Sequence, residues 1–531
     1  MNKKPTLNRF DKPTVWAIGA TDNTGGAGLL ADQQALTYFG LHTCPVVTGV
    51  TAQSHRGVHA LEVIKPTLFV EQLHSLLDTY PPLAIKLGAL LNQDIIDALI
   101  AFLPLVDCPV VADPVLHASQ GGLPLANRDN YLALLPLIDV LTPNLKETQA
   151  LFADNYSPVL PSNHSEAFAH SLDAICKHYT MNLVVTGIPN VLLVANSNKD
   201  DVKDLCVLPD GLITKRMGLS QPKVDTNYHH GTGCRFASAV AANLALGESM
   251  EDACVLANTY IHKGLAQQAN PKTKEDASTP KKTKDISYWP WQQANTPFVV
   301  NDLPTVNLRW NPAVEYTKPA RVNFTRIKTA SMTVYPVVDS FNWVAHCITS
   351  GATTVQLRLK DENEHDLEET ISRACQFARE HNAQLFINDY WHLAIKHGAF
   401  GVHLGQEDVD TADLSAIANS GLRLGLSTHC WAEFARAVQL NPSYLAVGPI
   451  YPTTTKTMVF APQGLARLKA LADCLAGALP LVAIGGIDTS NAQQVVAAGA
   501  NSVAVVRTIT EANPEKTRRI INQLQTAVNG D

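Results

Sequence analysis

The chain alternates between short apolar runs and longer stretches in which apolar residues recur every three to four positions. Fully buried strands read as continuous apolar runs and amphipathic helices as a 3.6-residue period. The alternation therefore predicts an α/β fold with a largely parallel sheet. In the first half the strand-like runs are 15–19, 84–87, 110–111, 140–141 and 183–186, with helical stretches such as 28–39, 67–78 and 94–102 between them. In the second half the rhythm is stricter. Apolar runs at 333–338, 354–359, 384–387, 401–404, 422–426, 444–447, 481–484 and 502–506 are each followed by a helical stretch. Eight β/α units in about 200 residues is the count of a (β/α)8 TIM barrel.

Between the halves, residues 271–320 hold seven prolines and no glycine, and open on a lysine-rich stretch, 272–284, with no apolar period. Proline fixes φ and removes a donor, so an extended connector is expected. Trp289, Trp291 and Trp310 fall in or beside it, and the area each can bury predicts that parts of it lie against a domain surface. The organisation expected is a domain over 1–270, a connector over 271–327 and a barrel over 328–531.

Composition narrows the class. The 531 residues are 46% hydrophobic and 17% charged, which describes a well-cored globular chain. A net charge of −7, from 41 basic and 48 acidic residues, supplies no field for nucleic acid. No apolar run approaches the 18 or so residues a membrane span needs. The ten cysteines include no CxxC pair, so neither a zinc ribbon nor a disulfide framework is implied. Residues 5–14 lack the apolar core of a secretory signal, and a cytoplasmic protein is expected.

In a (β/α)8 barrel the chemistry sits at the C-terminal ends of the strands, and polar residues collect there in this chain. Period-2 alternation puts Gln356, Arg358 and Lys360 on one face. The next strand ends give Asn388-Asp389, Gly405-Gln406-Glu407-Asp408, Ser427-Thr428-His429 and the run 448–456, which includes Thr453, Thr455 and Lys456. The last two give Gly485-Gly486-Ile487 and Val506-Arg507. Arg358, Lys360 and Lys456 are cations suited to a polyphosphate. Asp389 and Asp408 offer hard oxygens for Mg²⁺, and Gly485-Gly486 opens backbone amides to a phosphate.

These strings, in this order, resemble thiamine phosphate synthase over nearly all of residues 333–510. The resemblance implies a coupling of hydroxymethylpyrimidine diphosphate to a thiazole phosphate with release of pyrophosphate. It implies that Gln356, Arg358, Lys360, Asn388, Ser427 and Lys456 hold the diphosphate substrate, and that Asp389 and Asp408 hold Mg²⁺. Thr453, Thr455, Gly486, Val506 and Arg507 would surround the thiazole phosphate, with Arg507 standing where the family commonly has serine. A thiazole tautomerase, which has a similar mouth, is the competing reading.

The first half has no GxxxxGK[ST] motif, so it is not a P-loop enzyme. It has two glycine clusters, Gly25-Gly26-Ala27-Gly28 and His230-Gly231-Thr232-Gly233-Cys234, each placed before a helical stretch. Amides at a helix N-terminus form an anion hole and are expected to favour a thiolate at Cys234. With Thr51-Ala52-Gln53, Lys86-Leu87-Gly88, Asp113-Pro114-Val115 and Thr142-Pro143-Asn144 plus Glu147, the pattern resembles the hydroxymethylpyrimidine/phosphomethylpyrimidine kinases of the ribokinase-like fold over residues 14–268. The fold implied is a ribokinase-like α/β sandwich followed by the barrel.

By that resemblance Gly19, Asp32, Gln53 and Val115 frame the aminopyrimidine. Cys234 is the catalytic base, and Gly231 and Gly233 donate amides to the transferring phosphoryl of ATP–Mg²⁺. Thr186-Gly187-Ile188-Pro189 departs from a lysine-containing family string near the nucleotide. A non-catalytic pyrimidine-binding first half is the alternative. The partners expected are small-molecule substrates only (hydroxymethylpyrimidine phosphates, thiazole phosphate and ATP), in a homo-oligomer, with no nucleic acid or membrane.

Overall fold

The computed structural model of the chain describes residues 12–54, 57–116, 127–156, 165–189, 201–211, 213–226, 230–269, 297–310, 322–327, 332–360, 364–453 and 461–530. Two compact units emerge. One comprises Met1–Thr296 with Asp302–Tyr316, and the other Pro297–Asn301 with Thr317–Asp531.

The first unit is built on a ten-stranded sheet. In chain order its strands are β1 (Thr14–Asp22), β2 (His42–Ser54), β3 (Gly57–Val63), β4 (Ala84–Leu87), β5 (Val110–Ala112), β6 (Val140–Leu141), β7 (Asn182–Pro189), β8 (Asp201–Asp210), β9 (Ile213–Pro222) and β10 (Thr305–Asn307). Their spatial order is β10-β9-β8-β7-β6-β5-β4-β1-β2-β3. The stretch from β7 to β2 is parallel, and the margins are antiparallel. The central strands are buried on both faces, as covered parallel sheets are, and this is why they read as apolar runs. All five expected strands are present. The margins were not foreseen: the apolar run Leu205–Leu208 of β8 is flanked by Lys203-Asp204 and Pro209-Asp210, and β9 opens on Ile-Thr-Lys-Arg and ends in Gln-Pro.

Part of the proline-rich region belongs to this sheet. Strand β10 pairs Val306 with Leu219, and the Trp310 amide donates to the Arg216 carbonyl at 2.9 Å. Trp310 is 3% exposed and joins the unit's hydrophobic core. Upstream, Lys263 and Asp302 form an ion pair at 3.3 Å. Trp289 and Trp291 lie outside the described residues.

The second unit is a closed barrel of eight parallel strands in sequential order. They are β11 (Val334–Val338), β12 (Thr354–Leu357), β13 (Gln384–Asn388), β14 (Gly401–Leu404), β15 (Arg423–Thr428), β16 (Tyr444–Val447), β17 (Leu481–Ile484) and β18 (Ser502–Val505). Every expected run became a strand. Tyr335, Phe386, Tyr444, Val482 and Ala504 belong to a buried cluster of this unit. Gly425 makes room for one of them, since a Cβ there would lie 2.1 Å from the Tyr444 ring. Among the described residues no helix is long and apolar enough to cross a membrane.

Candidate active sites

The first unit opens a cavity of about 630 Å³ where the parallel strands end. Gly19, Asp32, Gln53, Val115, Gly231, Gly233 and Cys234, the seven residues singled out above, all line it. Asp32 comes from the helix Gly28–Tyr38 that follows the first glycine cluster, and Cys234 from the third position of the helix Thr232–Ala245. Asp32 is fully buried and ion-paired to Lys86 of β4 at 2.8 Å. Its Oδ1 also accepts from the Ser238 hydroxyl at 2.9 Å, whereas Oδ2 is buried with no hydrogen-bond partner. A buried carboxylate oxygen without a donor is costly, and an exocyclic amine of a ligand would satisfy it.

The electrostatics correct one expectation. Burial pushes the Cys234 thiol up to about 12; Lys86 works against the rise, and Asp113 and Asp32 add to it. Burial, with the two carboxylates adding, outweighs Lys86 and the Gly28 amide, so Cys234 is a neutral thiol rather than a thiolate. Asp113 is itself raised, chiefly by burial, although Lys86 and a hydrogen bond with Cys234 oppose this. Burial, with Asp113, lifts Glu147 to about 8. Glu147 also closes a capping box with Asn144 at the start of the helix Leu145–Phe152. Thr186, Gly187 and Pro189 line the same cavity, and Asp204 fixes the turn by accepting from the Gly187 amide at 2.8 Å.

The barrel opens a second cavity, also about 630 Å³, at the C-terminal ends of its strands. Gln356, Arg358, Asn388, Asp389, Asp408, Ser427, Thr453, Gly486, Val506 and Arg507 all line it. Lys360 does not. Strand β12 ends at Leu357, so the period-2 register is lost before Lys360, whose side chain is exposed. Thr455 and Lys456 lie outside the described residues. Asp389 follows β13 in a left-handed conformation, φ 64°, which Asp tolerates better than most residues, and accepts from the Asn388 amide at 2.5 Å. Asp408 accepts from the Gly405 amide at 3.1 Å. Gly486 has φ +66°, and a Cβ on it would lie 2.7 Å from Tyr451, so a side chain would both strain and crowd this loop. His429 also faces the cavity, its Nδ1 bonded to Glu433 at 2.8 Å.

Comparison with known proteins follows the division into halves. Residues 332–509 match the family model described as thiamine monophosphate synthase, and residues 22–278 that described as phosphomethylpyrimidine kinase. Over 179 residues the chain is 54% identical to thiamine-phosphate synthase of Pectobacterium atrosepticum, spanning 34% of this chain and 84% of that one. The chain belongs to the thiamine-phosphate synthase family, with a phosphomethylpyrimidine kinase domain preceding the synthase. Both families are transferases, and the chain is a bifunctional enzyme of thiamine biosynthesis. Among solved structures, thiamine phosphate pyrophosphorylase from Pyrococcus furiosus matches at 28% identity and TM-score 0.34, over 38% of this chain and 98% of its own. Phosphomethylpyrimidine kinase from Clostridium difficile 630 matches at 23% and 0.37, over 48% and 99%.

Several residues that shape the two sites carried no role in the sequence reading. In the synthase barrel a buried chain of hydrogen bonds runs from Gln356 to the Tyr335 hydroxyl at 3.2 Å, on to Tyr444 at 2.8 Å and to His403 Nδ1 at 2.8 Å. His403 Nε2 then meets the Ser427 hydroxyl at 2.8 Å. Burial, with Arg358 and His429 adding, pushes His403 down to about 3, so its ring is neutral. The signal was present: His403 is the one polar side chain in the four-residue strand β14. In the kinase domain the unassigned residues are Lys86, Asp113, Asp22, His230 and Arg235. Lys86, Asp113 and His230 stand in the motif strings given above, whereas nothing in the pattern marked Arg235 beyond a charge in a small-residue helix.

Proposed function

We propose that the kinase domain phosphorylates hydroxymethylpyrimidine or its monophosphate from ATP, giving the diphosphate. The synthase barrel then couples that product to thiazole phosphate, giving thiamine phosphate and pyrophosphate. The observation that carries the reading is the content of the barrel cavity: Arg358, Asp389 and Asp408 share it with Gly486, Val506 and Arg507. A tautomerase has no pyrophosphate to neutralise, and the paired carboxylates favour the synthase over it.

Two hard carboxylates from adjacent strand ends, with no third acidic, histidine or cysteine ligand grouped with them among the described residues, fit Mg²⁺, which binds substrate oxygens and water for the rest. When bound, Mg²⁺ neutralises charge on the departing pyrophosphate. Arg358 and Asn388 hold the diphosphate, with Lys456 as a further cation. Gln356 and Ser427, fixed at opposite ends of the tyrosine–histidine chain, hold the diphosphate with them. Thr453, Thr455, Val506, Arg507 and the open amide of Gly486 take the thiazole phosphate.

In the kinase domain, Asp32 Oδ2, Gln53, Gly19 and Val115 receive the aminopyrimidine, and the Gly231 and Gly233 amides receive the phosphoryl group. Cys234 acts as a neutral thiol handing a proton between the substrate oxygen and the adjacent Asp113. ATP–Mg²⁺ is the donor.

A coupled assay tests the whole reading: the chain with hydroxymethylpyrimidine, ATP, Mg²⁺ and thiazole phosphate should produce thiamine phosphate. Supplying the diphosphate directly isolates the synthase step, which Asp389→Asn should abolish. Full coupling activity in that variant would remove the metal assignment. Pyrimidine binding without ATP turnover would leave the first half a binding module.

A further inference from the structure

The two glycine clusters of the kinase domain come from opposite ends of its sequence and are held together by one buried cation. Arg235, the residue after Cys234, is fully buried. Its Nη1 donates to the Gly26 carbonyl at 2.6 Å and lies 3.4 Å from the Gly231 carbonyl, so a single nitrogen spans both clusters. Its Nη2 donates to the Gln34 side chain at 2.6 Å, anchoring the guanidinium to the helix that carries Asp32. The planar, multi-donor guanidinium suits acceptors fixed in different directions, which an ammonium serves less well.

The contact it holds is close. Gly231 has φ +74°, and a Cβ on it would lie 2.0 Å from the Gly26 carbonyl oxygen. A second clasp sits beside the first: His230 Nε2 lies 2.9 Å from Asp22 Oδ2, and the same carboxylate accepts from the Ala27 and Thr24 amides. Burial would raise Asp22, but hydrogen bonds from His230, Gln53 and Thr24 hold it well below the usual carboxylate range. Across this junction the Gly28 amide reaches Cys234. The thiol and the first-turn amides of the helix Thr232–Ala245 are therefore placed by how the first cluster docks on the second.

We propose that Arg235 is a positioning residue for phosphoryl transfer. It latches the Gly25–Gly28 loop onto the Gly231–Cys234 turn, setting the thiol and the amides at one distance from the transferring group. The proposal rests on the kinase reading above. Loss of the latch displaces the turn without removing any group that touches the pyrimidine, so the effect falls on kcat rather than on pyrimidine KM. A displacement of about 1 Å in such an array lowers turnover on the order of 100-fold.

The test is steady-state kinetics of ATP-dependent pyrimidine phosphorylation by the full chain and its variants. Arg235→Met should lose on the order of 100-fold in kcat with pyrimidine KM changed less than about threefold, and Arg235→Lys should recover part of the loss. Gln34→Leu, at an exposed position, removes one anchor and should lower kcat several-fold in the same pattern. It decides the question if the Met variant fails to fold. Arg235→Met with kcat within about threefold of wild type overturns the proposal, as does Gln34→Leu with unchanged kcat. A wild-type chain that phosphorylates no pyrimidine overturns the kinase reading itself, and the latch with it.

Discussion

Replacing Lys86 with methionine should destabilise the kinase domain far more than the loss of one surface contact. The lysine and Asp32 sit 2.8 Å apart with side-chain exposures of 0% and 1%, so neither charge has water to fall back on. Burial opposes the lysine's charge, but Asp32, Cys234 and Asp113 hold it above its ordinary value. Methionine fills the same volume and leaves the Asp32 carboxylate unpaired, with only the Ser238 hydroxyl donating to it. Breaking one side of such a pair costs about 3–5 kcal/mol, whereas replacing both sides with apolar groups is often neutral. Lys86→Met with Asp32→Leu should therefore recover most of the loss, leaving about 1 kcal/mol for the stranded Ser238 hydroxyl. Hydrogen exchange of β1 and β4 amides across a urea series isolates this domain's transition from the barrel's. Pyrimidine phosphorylation should stay abolished in the double variant, because Asp32 is gone. A loss below about 1 kcal/mol in the single variant, or a double variant no more stable than the single, would refute the argument.

Acid should unfold the barrel early. The fold keeps His403 neutral down to about 3 against an ordinary value of 6.5, so its contribution is fully present above pH 6.5 and is lost as pH falls toward 3. At the acid limit this is on the order of 5 kcal/mol, and His403→Asn should flatten the stability profile between pH 6.5 and 4. An unchanged profile would exclude His403 as the source. Trp310→Ala should cost the kinase domain about 3–5 kcal/mol. Thermal unfolding should find a fragment ending at residue 270 less stable than one ending at 316; equal stabilities would make β10 an ornament. Cys234, with its thiol pushed up to about 12, should react with iodoacetamide at pH 8 more than about tenfold slower than an ordinary cysteine. Reaction at the ordinary rate would restore the thiolate.

Legibility followed burial. Strands enclosed on both faces announce themselves as apolar runs, so all eight barrel strands and the parallel heart of the kinase sheet could be read directly. Strands with one wet face could not. Strand β2 is interrupted by Pro45 and Gly49, and β9 opens on Ile-Thr-Lys-Arg. Site residues were readable where a polar group interrupts an apolar pattern at a strand end, as with Asp389 and Ser427. Arg235 and the Tyr335–Tyr444 pair were not, because their roles rest on contacts 109 residues apart, for the tyrosines, and 209 apart, from Arg235 to Gly26. The Cys234 protonation state was misjudged for the same reason. A helix N-terminus is visible in sequence, whereas the burial that raises the thiol, and the carboxylates of Asp113 and Asp32 that add to it, are set only by the fold.

Strand β10 also bears on how the chain is made. Its partners on β9, Gly218 to Ser220, leave the ribosome well before it does. At about 5–20 residues per second, the interval between Pro222 and Trp310 is roughly 4–18 s. Through that time the outer edge of β9 presents open backbone donors and acceptors to any neighbouring nascent chain. The synthesis of residues 223–310, which include the kinase helices Thr232–Ala245 and Met250–Ala269, is thus also a period of vulnerability. Translation speed through residues 223–310 becomes a variable that governs yield of the folded enzyme.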